Sequence, residues 1–96
     1  MADKSSKNEA PIQVLKALSN PIRLGVVFRL AQSPTGLSWT ELSAPIHLSQ
    51  PAISHHLAKL VGAGIISESK AHTTKYYVLN QEFLTRCGIN IDKLLS

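Results

Sequence analysis

Ninety-six residues, 44% hydrophobic and 17% charged, are enough for one globular unit with a modest core and exclude a chain disordered throughout. The formal net charge of +4 permits a nucleic-acid partner. No apolar run approaches the roughly eighteen residues of a membrane span, and the single Cys87 excludes an intrachain disulfide.

The polar start, Met1 to Glu9, lacks the apolar stretch of a signal peptide, so a cytoplasmic location and a disordered tail over residues 1–10 are expected. Pro11 then opens a short amphipathic helix with Ile12, Leu15 and Leu18 at helical spacing. Asn20 followed by Pro21 reads as an N-cap and a first-turn proline. The second helix they start ends before the turn residues Ser33-Pro34-Thr35-Gly36. Ser38 and Glu41 form a capping box for a third helix, kept short by Pro45. Ser49 caps a fourth, whose apolar positions Ile53, Leu57, Leu60 and Val61 share one face and which Gly62 and Gly64 end. Two strand-like runs follow, Ile65–Lys70 and Lys75–Leu79, joined by the loop Ala71–Thr74. The tail from Gln81 reads as one or two short helical pieces. The predicted fold is mostly α with a small β-hairpin wing, a single-domain winged helix-turn-helix.

The fourth helix carries the chemistry. With about 100° per residue, His55 falls about 200° and Lys59 about 240° from Ile53, so both lie nearly opposite the apolar face. Small residues beside them (Ala52, Ser54, Ala58) let a helix sit deep in a major groove. Gln50 can pair with adenine edges, Ser54 with several groups, and His55 and Lys59 with guanine acceptors or phosphate. Gln50 also stands at the N-terminal end, which enters the groove in helix-turn-helix proteins. His55 and His56 point about 100° apart and cannot chelate one ion together. Ser54 and His55 are adjacent rather than face to face, with no orienting acid, so catalysis finds no support.

Three stretches, Ala17–Leu24, Leu48–Ile66 and Lys75–Leu79, closely resemble the ArsR/SmtB-type (arsenic-repressor-like) family of winged-helix regulators. The resemblance implies a repressor that binds double-stranded operator DNA. It implies a recognition helix from Gln50 to about Val61 and a wing near Ala71–Thr74. The DNA-binding set so expected is Ser49, Gln50, Pro51, Ser54, His55, Lys59, Lys70, His72, Thr73 and Lys75. It also implies a homodimer held by the first and last helices, through Ile12, Leu15, Phe83, Leu84, Ile89, Ile91, Leu94 and Leu95.

The chain departs from the metal-sensing members of that family. Those carry a cysteine pair in the helix before the recognition helix, where this chain reads Thr40-Glu-Leu-Ser-Ala-Pro45. The tail offers only Glu82, Cys87 and Asp92 as donors. No metal site and no cofactor are therefore expected, and the inducing signal is unknown. The wing also reads as less basic than the family's habit, with His72 at the tip and lysines only at its base.

The positive charge lies mainly in residues 1–35 and is low in residues 36–80. Residues 1–35 hold Lys4, Lys7, Lys16, Arg23 and Arg29 against Asp3 and Glu9, whereas residues 36–80 hold Lys59, Lys70 and Lys75 against Glu41 and Glu68. That low charge keeps open a second reading, a winged helix turned protein-interaction module. Arg23 and Arg29 suit either phosphate contact or pairing within the fold. Trp39, Tyr76 and Tyr77 suit the core better than base stacking, and Cys87 suits packing better than redox sensing.

Overall fold

The computed structural model describes residues 11–95, apart from the side chain of Leu95, so the expected tail over residues 1–10 lies outside the described residues. In chain order the elements are α1 (residues 11–18), α2 (Pro21–Ala31), β1 (Leu37–Ser38), α3 (Trp39–Ser43), α4 (Gln50–Gly62), β2 (Ile66–Ala71), β3 (Thr74–Leu79), α5 (Gln81–Arg86) and α6 (Ile91–Leu95).

Three helices start where a side chain can accept the first free backbone N–H groups. Asn20 Oδ1 accepts from the amides of Ile22 and Arg23 at 2.9 and 3.1 Å. The Ser38–Glu41 capping box closes in both directions, at 3.1 and 2.9 Å. Ser49 Oγ accepts from the amide of Ala52 at 3.3 Å, and Pro51 falls in the first turn, where its missing N–H costs nothing.

Helices α4 and α5 end by the same device. Gly64 (φ +81°) donates to the Val61 carbonyl while Ile65 donates to that of Leu60. Gly88 (φ +79°) donates to Thr85 while Ile89 donates to Leu84. These crossed bonds are Schellman endings, which need a left-handed residue that glycine supplies without strain.

The core is one cluster in which Leu30 of α2, Leu42 of α3, Leu57 and Leu60 of α4, and Ile65 and Ile66 meet Tyr77 and Leu84. The sheet has the order β1-β3-β2. Strand β1, which no sequence pattern signalled, pairs Leu37 with Tyr77 and Ser38 with Tyr76. The hairpin is tighter than expected: pairing runs from Ile66–Leu79 to Ala71–Thr74 and leaves only His72 and Thr73 in the turn. His72 provides the positive φ, 58°, that such a turn needs. Histidine tolerates that region better than most side chains.

The tail corrects part of the expected subunit interface. Leu84 and Ile91 are 1% and 2% exposed in the single chain, because α5 and α6 fold back, α6 against α2, and complete this chain's own core. They have no surface left to give a partner. Phe83 and Ile89 are half-buried, whereas Ile12, Leu15 and Leu94 stay 49%, 60% and 58% exposed. The side chain of Leu95 lies outside the described residues.

Candidate nucleic-acid interface

Helix α4 is 13 residues long, hence about 20 Å, and its two sides differ completely. Ile53, Leu57 and Leu60 are buried, while Ser49, Gln50, Pro51, Ser54, His55 and Lys59 are all exposed. The polar side chains of that outer face are therefore presented as a set, on an element fixed by its cap and its Schellman ending.

His56 is different, and the structure assigns it a role. Arg23 Nη1 lies 3.0 Å from His56 Nδ1. A guanidinium only donates, so Nδ1 accepts and the ring is neutral, with its proton on Nε2. Burial, then the Arg23 charge, then His55 hold its pKa below the ordinary histidine value. Arg23 also donates to the carbonyls of Ala17 and Lys16, at 2.7 and 3.5 Å, which closes the C-terminal end of α1. Arg29 does the same for α3, donating to the carbonyls of Leu42 and Glu41 at 2.7 and 2.5 Å. Both arginines thus pair within the fold. Each neutralises the orphan carbonyls and the negative end of a neighbouring helix.

On the wing, Lys70 stands directly opposite Lys75, one pair from the Ala71–Thr74 pair that closes the turn. The lysines are therefore near the tip, not at the base, because the turn has two residues rather than four. Like charges facing each other across a strand pair are unfavourable until an anion comes between them. His72 and Thr73 are exposed at the turn itself. Below the lysines, Tyr77 is buried and donates its hydroxyl to Glu68 at 2.8 Å, while Tyr76 is 41% exposed on the opposite face. Trp39 packs against the core.

The outer face of a capped helix beside a lysine-tipped hairpin is the arrangement of a DNA-binding winged helix. A family model described as "Bacterial regulatory protein, arsR family" matches residues 20–68 of the 96. The chain belongs to the ArsR family.

Among curated ArsR-family relatives, the arsenical resistance operon repressor of Staphylococcus xylosus is 34% identical over 79 residues, covering 82% of this chain and 74% of that protein. The putative arsenical resistance operon repressor ArsR2 of Halobacterium salinarum is 33% identical over 66 residues, 69% of this chain. The match spans only 56% of that longer relative. The solved structure of HlyU from Vibrio cholerae superposes with a TM-score of 0.72 at 32% identity, covering 85% of this chain and 88% of that one. HlyU is named a transcriptional activator, so the family holds regulators of both signs. These are transcriptional regulators, not enzymes, and the match establishes this chain as an ArsR-family winged helix-turn-helix protein.

Arsenical relatives raise the question of a metal. Among the described residues no three of His, Cys, Asp and Glu are grouped to hold an ion. Cys87 is half-buried against the core. No helix among the described residues is long and apolar enough to cross a membrane.

Proposed function

We propose that this ArsR-family regulator binds operator DNA as a homodimer and represses transcription, with α4 in the major groove and the wing on adjoining backbone. The observation that carries this reading is the outer face of α4, where Gln50, Ser54, His55 and Lys59 are exposed together behind a buried Ile53-Leu57-Leu60 stripe. Gln50 and Ser54 read base edges, and His55 and Lys59 reach guanine acceptors or phosphate. Ser49 and Pro51 shape the helix end that enters the groove. Lys70, Lys75, His72 and Thr73 meet phosphates from the wing.

Dimerisation rests on the apolar surface that the fold leaves uncovered. Leu15 and Leu18 of α1 line one groove with Ile89 and Leu94, and Ile12 is exposed on the same helix. A second copy of this groove is the self-complementary partner a two-fold dimer requires. Metal does not release the protein from DNA: the helix before α4 has no cysteine, and among the described residues no three of His, Cys, Asp and Glu are grouped.

Selection of bound fragments from random duplex DNA should return one sequence with two-fold symmetry. If each protomer meets about three to five phosphates, the log–log salt slope should be roughly −5 to −9. An unselective pool and a slope near zero would instead favour a protein-interaction module.

A further inference from the structure

Helix α1 presents three different faces. Val14 and Ala17 enter the core, Ile12 and Leu15 are the exposed apolar pair, and Gln13 and Lys16 turn toward α4. Between α1 and the outer side of α4 lies a cleft of about 650 Å³, rimmed by Lys16, Arg23, His55 and Lys59. Among the described residues no carboxylate lines it, and small residues, Ala58 and Gly62 among them, line its α4 side. His55, Lys59 and Gly62 succeed one another at i, i+4 and i+7, so the cleft runs along the same helix side that flanks Ser54.

The back wall is already organised. Three N–H groups of Arg23 are committed to the carbonyls of Lys16 and Ala17 and to His56, which fixes the guanidinium without further loss of side-chain freedom. The side chains of Lys16 and Lys59, both exposed, have no hydrogen-bond or ion-pair partner among the described residues and bring positive charge to the rim. The small residues of the α4 side leave room for a tetrahedral anion together with the sugar that carries it.

We infer that this cleft binds a phosphate group through Lys16 and Lys59, and that in the DNA complex it seats a backbone phosphate beside the base pairs read by α4. The inference rests on the proposed DNA binding and adds α1 to the contact surface. The helix that offers Ile12 and Leu15 to a second subunit then also touches DNA, so one element senses both events.

The test is Lys16→Gln in the full chain, with fluorescence anisotropy on the selected duplex and on a scrambled one across a salt series. The Lys16 side chain is exposed, and the bonds from Ser19 and Arg23 reach only its backbone carbonyl, so the substitution leaves the structure intact. Both duplexes should weaken by the same factor, roughly three- to tenfold near 0.1 M salt, with the slope reduced by about 1 per protomer. Arg86→Gln, which removes a charge from a different cleft, should change neither. A second arm titrates pyrophosphate into the isotope-labelled protein. Amide shifts at Gln13, Lys16, Ala58 and Gly62 that vanish in Lys16→Gln mark the phosphate site itself. Intact DNA binding by the variant alongside those shifts would overturn the DNA seating and make a free phosphate compound the ligand. Unchanged DNA binding without shifts overturns the site altogether. A wild-type chain that binds no duplex refutes the proposed function instead, and the pyrophosphate arm alone then decides the cleft.

Discussion

Arg23 and Arg29 of α2 place their guanidinium groups on the C-terminal carbonyls of α1 and α3, while Lys59 of α4 and Lys70 and Lys75 of the wing reach solvent without a partner among the described residues. All five count equally toward a net charge. Only the second group is available to DNA. A forked, planar donor suits paired carbonyls, whereas lysine at a strand or helix surface keeps its charge in water. The difference teaches that basicity becomes a binding surface only where the fold has no use for the charge. It also explains how a reading half with a small net charge still presents a positive face.

The comparison breaks most sharply at Arg29. Arg29→Ala should lower the unfolding free energy by about 2 kcal/mol, because two helix-end carbonyls lose a charged donor. DNA affinity of the fraction still folded should be unchanged, and urea titration paired with anisotropy separates the two. Lys75→Gln should do the reverse. Stability stays the same or rises slightly as the repulsion from Lys70 is relieved. Affinity for every duplex falls about fivefold, with a shallower salt slope.

Smaller effects sharpen the contrast through protonation. The pKa of His56 is lowered in the fold, chiefly by burial and then by Arg23. Its contribution to stability is therefore complete above the unfolded value near 6.5 and is lost as pH falls through the folded value. The urea midpoint should drop between pH 7.5 and 5.5. In His56→Gln, which keeps an acceptor for Arg23 and cannot gain a proton, the drop should be smaller. Glu41 does not confound this window: its pKa is lowered, first by hydrogen bonds from Ser38, so it stays ionised throughout. Smallest of all, zinc, cadmium or arsenite added to the DNA complex should release nothing. Release at stoichiometric metal, abolished by Cys87→Ser, would show a site shared between subunits.

Helix starts were legible because each is written locally. Asn20, the Ser38–Glu41 box and Ser49 sit within three residues of the amides they cap. The outer face of α4 was legible for the same reason, since a 3.6-residue period needs no tertiary information. What escaped depends on distant partners. A two-residue strand has no period, and β1 pairs with Tyr76 and Tyr77, about forty positions away. The tight turn was hidden because His72, rather than Gly or Asn, takes the positive φ. The tail's apolar residues look alike, yet Ile91 is buried and Leu94 is open, a division made only by packing against α2. The cleft above Lys16 belongs to this class too, being formed by residues some forty positions apart.

If the outer face of α4 reads DNA as proposed, Gln50 at its N-terminal end reads a base edge and has no part in folding. Gln50→Ala tests it directly, with anisotropy on selected and scrambled duplexes at one salt concentration and urea unfolding of the same sample. Gln50 is exposed, so stability should change by no more than about 0.5 kcal/mol. Affinity for the selected duplex should fall by about 1–3 kcal/mol, with the scrambled duplex bound as before. Equal losses on both duplexes, or none on either, would contradict the account and move the reading surface away from α4.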